Sequence, residues 1–432
     1  MEKKVLIITY YWPPSGGSGV QRWLKFTKYL PSLGWKPYIF TPANPSFAIR
    51  DESLLRDVPE EAEIIHFPIW EPYEAFFKLS GLFGGSRKSA KPTDLVSVKK
   101  KSIFQQVSTW VRGNFFIPDP RVFWVKPSVK FLLKYLDDHG ITTIITTGPP
   151  HSVHLIGLNL KRKKTSLKWI ADFRDPWSEW GFLDSLRVGS IARSIHRKLE
   201  AQVTKTADEV ITITPFYVRK FEKLSGRPVK LLTNGYDEED FKNLAIMKHE
   251  KFILRHAGIV NEKCDPRPFM LAVKNLLLQQ TALRSELVID FVGEVHPDFK
   301  AFVQNDDVLK KITTFTPTIP HKQLMKLYGE SAILLLVLTG YKDAEGYMPG
   351  KLFEYLATGL PVLGIGPEQG DAAMLLNHTG AGVMIDGSHA AAIQAFIMEK
   401  LEAWKRPGNT IQPSGYQAYS RGAITRTLVE ML

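Results

Sequence analysis

A single cysteine, Cys264, stands among 432 residues. That excludes an internal disulfide framework and a cysteine-rich metal site, and it suits a reducing cytoplasm. Long apolar runs are also missing. The longest, Ala332–Leu338, is far short of the roughly 20 residues that span a bilayer, so no membrane-crossing segment is expected. Met1-Glu2-Lys3-Lys4-Val5 runs straight into VLIITY with no separate apolar region before a small-residue cleavage site, so no signal peptide is expected. There is no short repeat and no low-complexity tract. Acidic residues are scarce in the first half: residues 1–228 carry 35 Lys+Arg against 21 Asp+Glu, whereas residues 229–432 carry 21 against 23. A nucleic-acid binder with a uniformly basic surface is not built this way, and the imbalance points to two domains, the first facing something anionic.

What is present is a soluble globular composition, 44% hydrophobic and 23% charged, at a length that suits two domains of roughly 200 residues. Short apolar runs alternate with amphipathic stretches, the mark of α/β units around parallel sheets. In the first half the expected strands are Val5–Tyr10, Pro37–Pro42, Ile141–Thr146, Lys168–Phe173 and Glu209–Ile213. In the second they are Phe252–His256, Leu287–Val292, Ile312–Phe315, Ile333–Leu338, Pro361–Ile365 and Val383–Ile385. The expected domains are 1–228 and 229–412, joined near Ser225-Gly226-Arg227-Pro228. A final segment, 413–432, carries an amphipathic helix with Ile424, Leu428, Val429 and Leu432 on one side. Residues 70–125 break the alternation and read as an insertion.

Three stretches could carry chemistry. Pro13-Pro14-Ser15-Gly16-Gly17-Ser18-Gly19 joins a strand to a helix. Without side chains at Gly16 and Gly17, backbone amides can approach a ligand near a helix start, although plain turn geometry explains the glycines equally. The dinucleotide spacing GxGxxG is absent. The second stretch is Glu345-Gly346-Tyr347-Met348-Pro349-Gly350-Lys351-Leu352-Phe353-Glu354. Pro349-Gly350 opens a helix whose amides at Gly350, Lys351 and Leu352 can hold a phosphate. Lys351 would add charge there, and Glu354, one turn on, can accept two hydrogen bonds from a ribose diol. A capped helix with a solvent Lys–Glu pair is the alternative. The third is Thr147-Gly148-Pro149-Pro150-His151, a strand-to-helix loop placing His151 at the carboxyl end of a sheet as a polar contact or proton carrier. His154, one turn later, is expected to be packed.

The run GKLFEYLATGLPVLG (Gly350–Gly364) resembles the donor-site signature of family 4 glycosyltransferases of the GT-B fold. Other pieces occur in that family's order: the PPSGGSG loop, TNGYDEEDF (Thr233–Phe241), WIADFRDPW (Trp169–Trp177), and IPHKQL (Ile319–Leu324) before the ILLLVL strand. The resemblance spans nearly the whole chain. It implies two Rossmann-like domains facing each other across a cleft, with a sugar transferred from a nucleotide-sugar donor with retention of anomeric configuration. The nucleotide-sugar would be a co-substrate, and no cofactor or essential metal is expected. Carried over by position, Gly350–Leu352 would hold the diphosphate and Glu354 the ribose, with Lys263 or Arg267 as the neutralising cation. The last helix would pack back on the first domain.

Two positions depart from the family pattern. The first of its paired glutamates falls on Gly346, with Glu345 one place off, so Glu345 or a backbone amide would contact the donor sugar. Where many members have a cleft histidine, this chain has Arg174 beside Asp175. Asp175 would orient the acceptor hydroxyl or stabilise cationic character at the sugar carbon, unless the two form a structural ion pair.

The insertion bears on the acceptor. Arg87, Lys88, Lys91, Lys99, Lys100 and Lys101 precede the aromatic-rich Ile103–Phe116, a combination that suits an interfacial helix on an anionic leaflet. Single-stranded nucleic-acid binding also pairs aromatics with cations, but no such module accompanies them. The expectation is a cytoplasmic enzyme, peripheral on a membrane through 87–116, with a glycan or lipid-linked acceptor in cell-surface polysaccharide or glycolipid synthesis. A sugar-nucleotide epimerase and a non-catalytic sugar-nucleotide binding protein are the alternatives.

Overall fold

The computed structural model describes residues 2–45, 47, 49–71, 103–179, 181–340, 343–406 and 414–432. The basic cluster Arg87–Lys101 and the expected boundary at 412/413 lie outside them. The chain divides into two compact units, Met1–Thr233 with Ile424–Leu432, and Asn234–Ala423. The junction between Thr233 and Asn234 comes five residues later than the 228/229 boundary read from composition.

The first unit contains a seven-stranded sheet in the order β3-β2-β1-β4-β5-β6-β7, every pairing parallel. Its strands are β1 (Lys3–Ile8), β2 (Trp35–Pro42), β3 (Glu63–Phe67), β4 (Thr143–Gly148), β5 (Lys168–Phe173), β6 (Glu209–Thr212) and β7 (Lys230–Leu231). Helices must cover both faces of a parallel sheet, which is why the central strands, such as β1 with Val5–Ile8, are apolar at consecutive positions. Alternate side chains go to opposite faces. Leu6 and Ile8 join a core with Phe40, Trp169 and Phe173. Val5 and Ile7 join another with Trp23 and Leu24, to which Ile424 and Leu428 of the last helix (Arg421–Val429) also belong.

Three features of this unit differ from the sequence reading, one being β7, which joins this sheet although residues 229–412 read as the second domain. β3 was not anticipated: EIIHF is only partly buried and pairs along one side, with β2. The stretch 70–125 is also not wholly an insertion. Pro120 and Trp124 are buried, and the Trp124 indole stacks on Phe40 at 5.7 Å and 11°. A large ring is needed there because it fills the space between the sheet and the helix Val125–Asp138.

The second unit holds a six-stranded sheet, β10-β9-β8-β11-β12-β13, again parallel throughout. Its strands are β8 (Phe252–Ala257), β9 (Leu287–Val292), β10 (Thr313–Thr316), β11 (Ile333–Val337), β12 (Val362–Ile365) and β13 (Gly382–Ile385). Leu254, Leu335 and Leu363 pack under Phe269, Val273 and Leu276 of the helix Arg267–Gln279. Leu334, Leu336 and Val362 pack under Leu352, Phe353 and Leu356 of the helix Gly350–Thr358. This second contact orients the helix: its apolar residues face the sheet, leaving Lys351 and Glu354, three apart, on a shared and less buried side.

Candidate functional site

In an open parallel sheet, ligands collect at the carboxyl ends of the strands, where the strand order reverses and neighbouring loops diverge. In the second unit the reversal lies between β8 and β11. The chain leaves β8 through Gly258, at φ 126°, and the connection from β11 ends at the helix Gly350–Thr358. Pro349 caps that helix without a side-chain hydrogen bond, so the first amides carry the positive end of the helix dipole. The Leu352 amide, expected to face a phosphate, instead donates to the Pro349 carbonyl at 3.0 Å. It closes the first turn, which leaves Gly350 and Lys351 as the anion-facing amides.

The Lys351 ammonium turns back to the end of β8. It donates to the Ala257 carbonyl at 3.0 Å and to His256 Nε2 at 3.3 Å. His256 Nδ1 lies 2.9 Å from the Leu335 carbonyl. A carbonyl can only accept, so Nδ1 carries the proton and Nε2 presents its lone pair to Lys351. Burial holds the imidazole well below its ordinary pKa, with the Lys351 charge acting in the same direction, so the ring is neutral. Burial also lowers the pKa of Lys351 itself. An ammonium has three hydrogens and two of these are taken, so the third is available to an anion. Gly258 makes room for this: a Cβ there would stand 3.2 Å from Nζ. The Tyr355 hydroxyl accepts from the Ala257 amide at 3.1 Å and ties helix to strand.

Glu354 is held by two groups that the sequence motifs did not single out as site residues. His321 Nε2 lies 3.3 Å from one carboxylate oxygen, and the Tyr328 hydroxyl donates to the other at 3.3 Å. Both come from the helix His321–Gly329. The only sequence signal for His321 was its place in IPHKQL.

The remaining residues carried over for this unit are dispersed. Arg267 is ion-paired to Asp265 at 2.9 Å and lies over Phe302. With Asn261, Glu262, His296 and Asp298 it lines a small cleft of about 90 Å³ whose carboxylates disfavour a diphosphate. Lys263 is exposed, its amide bonded to Asn261 Oδ1 at 2.9 Å. Glu345 is exposed on the short turn Ala344–Gly346, and its backbone lies against Gly370, the residue capping the helix Asp371–Thr379.

In the first unit the order reverses between β1 and β4. A pocket of about 180 Å³ opens there, lined by Tyr11 beyond β1, by Pro149, Pro150 and His151 beyond β4, and by Trp177 beyond β5. Arg112, Phe116 and Arg121 close another side. His151 stacks on Trp177 at 5.1 Å with the planes 1° apart. Burial keeps its pKa well below the ordinary histidine value, which makes it a neutral polar wall and not a cation. His154 is fully buried, bonded to Thr146 at 2.9 Å and stacked on Phe173.

Arg174 and Asp175 do not form an ion pair. The guanidinium donates to three backbone carbonyls, Gly148 at 3.0 Å, Pro149 at 2.7 Å and Gly19. It therefore clamps the loops after β1 and β4 together. Burial raises the Asp175 carboxyl above the usual range, with the neighbouring Arg174 pulling the other way. The Gly16 amide, a candidate ligand contact, donates instead to the Ile49 carbonyl at 3.0 Å, and a Cβ at Gly16 would stand 2.8 Å from Ile49. That glycine serves the turn. Gly17, at φ 90°, caps the helix Ser18–Tyr29. Beneath these loops Asp172 is fully buried, accepting from Arg22 at 3.0 Å, Trp23 at 2.6 Å and Thr147 at 2.9 Å.

Two Rossmann-like units with seven- and six-stranded parallel sheets define the GT-B fold. Among solved structures the chain is similar to a sucrose-phosphate synthase (tll1590) from Thermosynechococcus elongatus, at 15% identity and a TM-score of 0.60, covering 99% of this chain and 98% of that one. It is similar to the lipopolysaccharide outer core galactosyltransferase WaaB at 11% identity and 0.59, covering 99% and 98%. It is also similar to TarM at 10% identity and 0.60, covering 100% and 99%. At these identities the likeness is one of fold. No protein-family model and no curated protein matches the sequence. Among the described residues no group of three or more His, Cys, Asp or Glu is placed to hold a metal ion, and no helix is long and apolar enough to cross a membrane.

Proposed function

We propose that this chain is a retaining glycosyltransferase that moves a sugar from a nucleotide-diphosphate sugar to a glycan or lipid-linked acceptor, in cell-surface polysaccharide or glycolipid synthesis. The observation that carries the reading is the start of the helix Gly350–Thr358 at the reversal point of the second sheet. There the Gly350 and Lys351 amides, the remaining Lys351 N–H and the Glu354 carboxylate occupy one side of a single turn. A diphosphate would accept from the amides and the ammonium, and the charge that develops on it as the glycosidic bond breaks would be stabilised by those donors. Glu354, oriented by His321 and Tyr328, would take the ribose hydroxyls. The exposed Lys263 and the Glu345 turn are proposed to complete donor contacts, and Arg267 would have to leave Asp265 to take part. In the first unit, the pocket of Tyr11, Phe116, Trp177 and His151 would receive the acceptor on aromatic faces, with Asp175 addressing its hydroxyl. That WaaB is named for lipopolysaccharide outer core supports the acceptor class. No metal is required by this scheme, and a cytoplasmic location is proposed with it.

The test is calorimetry of the full chain with UDP-, GDP-, ADP-, CMP- and dTDP-linked hexoses, followed by turnover. Free nucleoside diphosphate released only in the presence of acceptor is the expected result. Epimer formation without acceptor would replace the reading with a sugar-nucleotide epimerase, and uptake of no nucleotide-sugar would end it.

A further inference from the structure

We propose that the first unit docks on an anionic lipid surface through an apolar and basic patch built by two neighbouring helices, Ile103–Phe115 and Ser190–Thr206. This deepens the acceptor reading above and rests on it only for its purpose, the delivery of a lipid-borne acceptor.

The patch starts with exposed apolar side chains that a water-facing helix does not need. Ile191 is 79% and Phe115 69% exposed, and Val107, Trp110 and Ile195 are each more than two-fifths exposed. Single exposed apolar residues are ordinary, but contiguous ones mark a contact surface. These are joined. The Trp110 and Phe115 rings meet at 5.6 Å. Between them Asn114 Oδ1 accepts from the amide of Gly189, the cap of the second helix, at 2.8 Å, and Asn114 Nδ2 donates to the Arg187 carbonyl at 3.2 Å. The Arg187 guanidinium returns to Gln106 on the first helix at 3.0 Å. Ile191 therefore follows directly on the junction, and Ile195 lies one turn beyond it on the same side.

The charge around the patch selects the occupant. Ile103–Phe115 contains no acidic residue. Ser190–Thr206 contains Arg193, Arg197, Lys198 and Lys205 against a single acid, Glu200. Glu200 is buried and accepts from the Trp177 and Ser178 amides, so it does not show at the surface. Among the described residues of the turn between the helices the exposed acid is Asp184, and Arg193 pairs with it at 2.7 Å, while Glu179, exposed just before that turn, pairs with Lys220 at 3.3 Å. Arg197 and Lys198 remain exposed beside Ile195. Isoleucine, tryptophan and phenylalanine set among unopposed cations suit the boundary between lipid headgroups and acyl chains. The helix Ile103–Phe115 also connects the patch to the pocket: its Arg112 and Gly113, with Phe116 just past its end, line the cavity, while Val107, Trp110 and Phe115 are exposed. A lipid surface under the patch would thus lie one helix away from the acceptor pocket.

Co-sedimentation of the full chain with phosphatidylglycerol/phosphatidylcholine vesicles tests this, with phosphatidylcholine alone as the second arm. Binding to the anionic vesicles and at least tenfold less to the neutral ones is expected. Ile191→Asp with Phe115→Asp, and separately the surface pair Arg197→Glu with Lys198→Glu, should each lower anionic binding at least tenfold. The charge pair sits on exposed positions and keeps the measurement readable if the apolar pair fails to fold. Nucleotide-sugar uptake by the charge pair should equal that of the parent chain, so loss of lipid binding and loss of donor binding are separable. Vesicle binding that is absent, or that neither pair changes, overturns the proposal. So does a concentration-dependent dimer abolished by the same variants, which would assign the patch to a second copy of the chain.

Discussion

The Lys351 ammonium is anchored 3.0 Å from the Ala257 carbonyl, so the first turn of its helix is pinned to the last residue of β8. The contact joins the two sides of the strand-order reversal, and it depends on Gly258 having no side chain. Lys351→Met keeps the length of the side chain and removes its donors. It should weaken nucleotide-sugar binding by at least tenfold, about 1.4 kcal/mol, by calorimetry. Gly258→Ala should weaken it comparably, because φ 126° strains any residue with a Cβ and the added methyl meets Nζ. Full affinity in both variants would remove Lys351 from the site.

Glu354 is oriented by His321 and Tyr328, each 3.3 Å away. If it addresses a ribose diol, Glu354→Ala should lower kcat/KM by roughly a hundredfold, about 2.7 kcal/mol. His321→Ala should cost less, because Tyr328 still orients the carboxylate. Affinity for a free inorganic diphosphate should stay unchanged in both, since it has no ribose. Turnover that survives in Glu354→Ala would contradict the assignment.

Arg174 and Asp175 are adjacent in sequence and separate in role. Arg174→Ala strands three carbonyls. At about 1 kcal/mol or more for each, this should cost roughly 3 kcal/mol, a fall in Tm of about 6–12 °C at 2–4 °C per kcal/mol. Asp175→Asn preserves shape and should leave Tm within about 2 °C while turnover falls strongly. Differential scanning calorimetry alongside a turnover assay separates the two. The reverse pattern would make Asp175 the structural residue and Arg174 the functional one.

Stability should depend on pH through buried histidines. Burial lowers His154 to about 3 and His196 to about 4. In the unfolded chain both titrate near 6.5. Between those limits only the unfolded state takes up protons, so stability is fullest above about pH 6.5 and falls as pH drops towards 4. Glu200 and Asp175, whose carboxyls burial raises, act in the opposite direction. A Tm flat from pH 8 to 7 and falling below 6.5 is expected. His196→Gln should make the fall shallower, and an unchanged slope would show that His196 does not contribute.

Much of the site was legible because it is local. Pro349-Gly350-Lys351 announces a helix start, and Lys351 and Glu354 share a side at a spacing of three. The partners were not legible. His256 and Ala257 lie more than ninety residues before Lys351, and His321 lies thirty-three before Glu354. Only the packing of one helix on the sheet brings them together. The Arg174-Asp175 dipeptide invited an ion pair, but three carbonyls from loops distant in sequence take the guanidinium. Gly16 looked like a ligand contact, and a neighbouring chain segment at Ile49 takes its amide.

By itself the sequence determined the class of fold. Apolar-rich runs of three to six residues, separated by amphipathic stretches, become parallel strands covered on both faces, because only helices on either side can cover them. It determined the helix at Gly350 for a similarly local reason. Strand order, and with it the two reversal points, was decided by tertiary structure. So were the edge strand β3, whose EIIHF is too polar to announce itself, and the burial of Trp124 within a stretch that reads as an insertion. Pairing across a sheet and filling of a core depend on residues far apart along the chain, and no short-range pattern encodes which of them will meet.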